Sequence, residues 1–164
     1  MKKLYLVLLL ATCCISALAQ KVSGTFQPLK DAGRVKMVVD FSQADIMSMS
    51  EEEFAVYEED WEKDKPELLS RFYSYANKRL KNALVLGNYT ADTDYELTLC
   101  IKTVDLKGNY DCDLILSADG TEIGRAIGIR AKGGTFGSKL NLMKDGAEHT
   151  GEAMGKFLLK AMNY

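Results

Sequence analysis

Few side chains in this sequence have the types and spacing for chemistry. His149 is the one histidine among 164 residues, so a zinc centre needing two imidazoles is excluded. Cys100 and Cys112 stand twelve positions apart, across a pattern that reads as one β-hairpin. Matching the apolar faces of that hairpin pairs Ile101 with Leu114 and Leu99 with Leu116. Cys112 then faces the core and Cys100 the opposite side, because successive strand side chains alternate. A disulfide needs its Cβ atoms within about 4.5 Å, so two separate thiols are expected. A nucleophilic cysteine would need a base nearby, and His149 falls at the start of the last predicted helix. A catalytic Cys–His pair is therefore not expected.

Three other clusters invite comparison with known chemistry. Gly133-Gly134-Thr135-Phe136-Gly137-Ser138-Lys139 is glycine-rich and basic. A phosphate loop needs its Lys before the Ser or Thr and after a longer spacer, and here the order is reversed. The loop reads as a connection whose glycines, with Arg130, Lys132 and Lys139, form a small basic rim. Asp105, Asp111 and Asp113 flank one turn without the full calcium-loop pattern, so they read as hairpin polarity. Glu51 to Glu67 holds nine acids and two lysines, and reads as a solvated helix face or a docking surface for a basic partner. The sequence assigns no catalytic, cofactor-binding or metal residue.

These groups are positioned by a chain with a separable leader. Lys2 and Lys3 precede an apolar run from Leu4 to about Ile15, and Ala17-Leu18-Ala19 is a small-residue cleavage pattern. Residues 1–19 thus read as a secretory signal and 20–164 as a single domain. The apolar run is shorter than the roughly 20 residues needed to span a bilayer. Leu10-Ala11-Thr12-Cys13 also resembles a lipobox, which would put a lipid anchor on Cys13. Losing the leader lysines takes the formal charge from −2 to −4, which offers no pull toward nucleic acid. The expected location is exported, periplasmic or secreted, with no transmembrane segment in the mature chain. Asn88-Tyr89-Thr90 is a glycosylation sequon of little meaning in a bacterial envelope.

Periodicity predicts an α+β fold with an antiparallel sheet of four to five strands and helices on one face. Residues 20–32 read as an edge strand or loose arm. A strand over Arg34 to Phe41 alternates Val35, Met37, Val39 and Phe41 with more polar positions. Ser50 and Glu53 fit a capping box for a first helix. Pro66 argues for a break and a second helix capped by Asp64. A three-strand meander follows, with turns at Lys107-Gly108-Asn109 and Asp119-Gly120. Ile123, Ile127 and Ile129 are placed on one face of its third strand. A loop is expected over 133–146 and a last helix from about Ala147 to Met162. Gly151 and Gly155 in that helix would let its backbone come close to a neighbour. The expected core is Val39, Phe41, Leu69, Phe72, Leu97, Leu99, Leu114, Leu116, Ile127, Phe157 and Leu158.

Val38-Val39-Asp40-Phe41, Thr93-Asp94-Tyr95-Glu96-Leu97, and Lys132-Gly133-Gly134 before the closing helix together resemble small envelope domains related to the curli secretion lipoprotein. The resemblance spans roughly Arg34 to Met162, with Thr93 where that family usually has Ala, and without membrane-inserting hairpins. It implies a periplasmic α+β protein-interaction module rather than a pore or an enzyme. The expected function is an exported, non-catalytic binding or assembly module of the bacterial cell envelope, with a protein partner there. The alternative is a small cystatin-like inhibitor or ligand carrier, which would show a loop wedge or an apolar pocket. An enzyme would instead bring Cys100, His149 or the acids together.

Overall fold

The computed structural model describes residues 21–89 and 93–163. The leader, Cys13 and Thr90 of the sequon lie outside the described residues. The fold is α+β, with one mixed sheet and three α-helices. Its elements run β1 (Lys21–Gly24), a 3-10 turn (Gln27–Asp31), β2 (Arg34–Asp40), β3 (Asp45–Ile46), α1 (Glu51–Tyr57), α2 (Trp61–Leu80), β4 (Val85–Gly87), β5 (Tyr95–Val104), β6 (Tyr110–Ala118), β7 (Thr121–Ala131) and α3 (Lys139–Met162). The strand order is β1-β7-β6-β5-β2-β4, and β3 also pairs with β5.

This sheet differs from the expected one in strand number and direction. β5, β6 and β7 form the antiparallel meander, with β1 antiparallel beside β7. β2 is parallel to both β4 and β5, and β3 is parallel to β5. The helices between β2 and β4 explain this. A chain that crosses back over the sheet as a helix re-enters it in its original direction.

Local signals set most helix ends, and tertiary contacts override two of them. The Ser50 hydroxyl accepts from the Glu53 amide at 3.2 Å, and the Glu53 carboxylate accepts from the Ser50 amide at 2.8 Å. That capping box starts α1 as expected. The break at Pro66 is not found: α2 begins at Trp61 and runs through the proline in its second turn. Proline there forfeits one backbone bond near a helix start, where few are lost. Trp61 compensates, being fully buried with edge-on contacts to Phe41 and Phe54 at 5.7 and 5.2 Å. α3 likewise begins eight residues before the expected Ala147, capped by Ser138. Residues 139–146, expected in a loop, form its first two turns and bury Leu140 and Met143.

The hairpin register is offset by two residues from the expected one. Ile101 pairs with Cys112, Leu99 with Leu114 and Leu97 with Leu116, with a bulge between Ile101 and Thr103. An even offset leaves every side chain on its own face, so the assignment of faces holds. Bulges in β7 do change faces. Gly128, at φ +80°, is skipped in the pairing of Cys112 with Ile129 and Asp113 with Ile127. Ile127 therefore points out of the core, at 44% exposure, while Ile129 is buried. Of the other expected core residues, Phe41, Phe72, Leu97, Leu99, Leu114, Leu116 and Leu158 are buried. Val39, Leu69 and Phe157 pack partly buried against them.

At the sheet edge, Leu86 turns both backbone groups away from β2. The Asn77 side chain of α2 donates to the Leu86 carbonyl and accepts from its amide, both at 2.8 Å. Asn77 thus occupies the positions that a further strand would take. α2 and α3 pack together over the inner face of the sheet, and glycine sets their separation. A Cβ on Gly151 would lie 2.5 Å from the Phe72 carbonyl oxygen, and one on Gly155 2.8 Å from that of Ala76. A Cβ on Gly146 would lie 2.0 Å from the Gly108 carbonyl oxygen. At those points the α3 backbone touches the backbone of α2 or of the β5–β6 turn, which only glycine permits. A side chain forced into such a contact overpacks it, at a cost of about 1–3 kcal/mol. Gly151→Ala is therefore expected to lower stability by about that amount in urea unfolding, with an unchanged m-value.

Candidate functional site

The helices cover one face of the sheet and leave the other open. Cross-strand register arranges that open face in rows. Val38, Thr98, Ile115, Arg125 and Ser23 form one row across β2, β5, β6, β7 and β1. Asp40, Cys100, Asp113, Ile127 and Lys21 form the next. Val38, Cys100 and Ile115 are half-buried by their neighbours and Ile127 is exposed. Polar groups are interleaved with these apolar residues, Thr98 between Val38 and Ile115 and Asp113 between Cys100 and Ile127. Ion pairs join Lys36 to Glu96 at 2.6 Å, Arg125 to Glu122 at 2.6 Å and Arg130 to Asp111 at 2.7 Å. The Asp113 carboxylate accepts from the Gly128 amide at 3.2 Å, which holds the β7 bulge.

The candidate chemical groups take separate places. Cys100 and Cys112 are both free thiols. Cys112 is fully buried on the inner face, and burial pushes its pKa well above the ordinary value. Partial burial, then the neighbouring Asp40, raises that of Cys100. A raised thiol pKa means little thiolate and low nucleophilicity. His149 sits on α3, across the sheet from Cys100. Its Nδ1 lies 2.8 Å from the Lys132 carbonyl oxygen, which can only accept, so Nδ1 carries the proton. That bond ties α3 to the strand end after β7.

The three aspartates near the hairpin turn serve different partners. Asp105 accepts from the amides of Lys107 and Asn109 at 2.8 and 3.0 Å, and from Asn109 Nδ2 at 2.7 Å. Partial burial opposes ionisation of Asp105, but the hydrogen bonds from Asn109 and Lys107 outweigh it and lower the pKa. Asp111 pairs with Arg130, and Asp113 serves the bulge. The basic rim of the glycine-rich loop is similarly shared out. Arg130 is engaged by Asp111, and Lys139 bonds the Tyr57 hydroxyl and lies 4.0 Å over that ring. Two surface cavities accompany the sheet ends. One, of about 420 Å³, is lined by Asp105, Asn109, Asp111, Arg130 and Lys132 among others. The second, of about 510 Å³, is lined by Thr93, Asp94, Glu96, Ser117, Asp119 and Gly120. Neither of these two linings includes a leucine, valine or phenylalanine.

Much of the acidic block proves to be internal wiring. Glu51 pairs with Lys65 at 2.6 Å, and Glu53 belongs to the capping box. Lys144 of α3, only 8% exposed, pairs with Glu67 at 2.6 Å and Asp64 at 3.0 Å. Arg71 bridges Glu67 at 2.6 Å and also bonds Glu148, while Arg79 pairs with Glu152 at 2.8 Å. This network had no legible signal in the sequence, because its partners lie on two helices far apart in the chain.

No family model matches the sequence, and no curated protein matches it. Among solved structures, the chain is similar to a PelC dodecamer from Paraburkholderia phytofirmans. That match has 11% identity and a TM-score of 0.43, and covers 81% of this chain and 97% of that one. A second PelC dodecamer, carrying one substitution, matches at 12% identity and TM-score 0.43, covering 83% of this chain and 97% of that one. An uncharacterized protein matches at 11% identity and TM-score 0.34, covering 56% of this chain and 60% of that one. None of the three is named as a curli secretion protein.

Two measurements probe this wiring. In the purified protein, iodoacetamide is expected to label Cys100 slowly under native conditions and Cys112 only in denaturant, as read by peptide mass. A loss of two hydrogens linking the two would contradict the free-thiol assignment. The second concerns Glu67, whose pKa is lowered to about 2 by hydrogen bonds from Lys144 and Arg71. A lowered folded-state pKa stabilises the fold above the ordinary pKa of 4.5 and loses that effect as pH falls toward 2. Glu67→Gln should unfold at lower denaturant than the native chain at pH 7, and the gap should close between those two pH values.

Proposed function

We propose that this chain is an exported, non-catalytic binding or assembly module of the bacterial cell envelope. The open sheet face is the observation that carries this reading. It combines half-buried Val38, Cys100 and Ile115, an exposed Ile127, and ion pairs among them. A face that mixes apolar and charged side chains has the composition of a non-obligate protein contact, which is about as apolar as the rest of a protein surface. The leader-like residues 1–19 support export, with a periplasmic or secreted destination. Among the described residues no helix is long and apolar enough to cross a membrane. The placement of Cys100 and His149 on opposite sides of the sheet favours binding over nucleophilic catalysis.

The reading is tested by a photo-crosslinking residue at Ile127, in cells that export the chain. A discrete adduct in the envelope fraction is expected, and a crosslinker at exposed Glu62 should not give it. Equal adducts from both positions, or none from Ile127, would sink the proposal.

A further inference from the structure

The open sheet face carries its charges in an order that fits a second copy of itself. Four rows of side chains cross it, each about 6.7 Å from the next. The first runs Lys36, Glu96, Ser117 and Glu122. The second and third are the rows of Val38 and of Asp40. The fourth runs Asp45, Thr103, Asp111 and Arg130, with Asp45 on β3 continuing the β2 side of β5. Lys102 joins this row, because the β5 bulge leaves Lys102 and Thr103 exposed together between buried Ile101 and Val104.

A two-fold axis in the sheet plane, across the strands and between the middle rows, turns the first row onto the fourth and the second onto the third. Each strand then lies over its own copy in the antiparallel direction. Lys36 meets Asp45, Glu96 meets Lys102 and Glu122 meets Arg130 of the second copy, and symmetry makes each contact twice. Every other charge on the face meets an uncharged side chain: Asp111 meets Ser117, Asp40 Val38, Asp113 Ile115, Arg125 Ile127 and Lys21 Ser23. No like charges are opposed. A two-fold running along β6 would instead set Asp113 against Asp113 and Glu96 against Glu122. The face thus complements itself in one register, which a surface for an unrelated partner has no need to do.

Burial and area are also compatible with such a contact. Asp40 and Asp113 already accept from the amides of Ser42 and Gly128, at 2.9 and 3.2 Å, and Arg125 holds Glu122. These charges therefore enter the contact with partners in place. Five strand positions about 4.8 Å apart and four rows give each copy roughly 600 Å², before corrugation by side chains. A standard interface takes about 800 Å² from each partner.

We propose that this chain forms a two-fold dimer through its open sheet face, the strands of the two sheets running antiparallel across the contact. Facing sheets keep their strands within about 30° of each other. Val38, Cys100, Ile115 and Ile127 of both copies lie in the two middle rows, beside the axis. The dimer rests on the reading of this face as a contact surface, and it names the partner there as a second copy.

Sedimentation of the purified full chain over a concentration series tests the dimer. The native chain is expected to pass from monomer to dimer as concentration rises. Lys102→Glu sets a carboxylate against Glu96 of the second copy, and Glu96→Lys sets an ammonium against Lys102. Each variant alone should dimerise about tenfold more weakly, or worse. In a mixture of the two variants, both contacts of the mixed dimer again join opposite charges. The mixture should therefore recover dimer that neither variant forms alone. A native chain monomeric throughout the series, variants that dimerise as well as the native chain, or a mixture no better than its parts would each overturn the proposal. The Ile127 crosslink separates the two readings. An adduct with the mass of two chains is expected. An adduct to a different protein alone overturns the dimer and leaves the contact face standing, while the absence of any adduct removes both.

Discussion

The contact between α2 and α3 is the constraint on which the rest of the structure depends. Gly151 and Gly155 let α3 lie against the backbone of α2, and Gly146 lets it lie against the β5–β6 turn. With the backbones that close, Phe72, Ala76, Met154 and Leu158 share one buried layer. The ion pairs between these helices come second. Exposed pairs contribute about 0–1 kcal/mol each, and they mainly fix which turn of α3 faces which turn of α2. Lys144 is the exception, since its burial makes its two carboxylate partners obligatory.

That packing decides which surfaces remain for other molecules. Both long helices are committed to the inner face, so the outer face of the sheet stays open. Asn77 closes the β4 edge by bonding both backbone groups of Leu86, which disfavours strand addition there. On the proposed binding reading, a partner would meet the rows of side chains on the outer face rather than extend that edge.

Legibility followed the range of the interaction. The α1 capping box lies within four consecutive residues, and Ser50 and Glu53 announced it directly. Strand faces were readable because alternation is local, and an offset of two residues could not disturb them. Ile127 was misplaced because a bulge at Gly128 inverts the alternation, and the glycine within the strand is its local mark. Pro66 read as a break, and Gly146 fell at the end of an expected glycine-rich loop, because local propensity disfavours both in helices. The burial of Trp61 and the contact with Gly108 keep both residues helical, and both interactions reach across the chain. The parallel pairing of β2 was missed for a related reason, since strand direction is set by how the helices return the chain.

The residue types alone determined a great deal about this protein. One histidine, Cys100 and Cys112 on strands of opposite phase and a leader-like N-terminus narrow the expected chemistry and the expected compartment. These are properties of composition and local spacing, and folding does not alter them. The tertiary structure decided which groups act together. It placed Lys144 between two acids, turned Ile127 outward and brought Gly133 against the β5–β6 turn. Each of these depends on packing between segments distant in the chain, where the energy of a contact leaves no local trace.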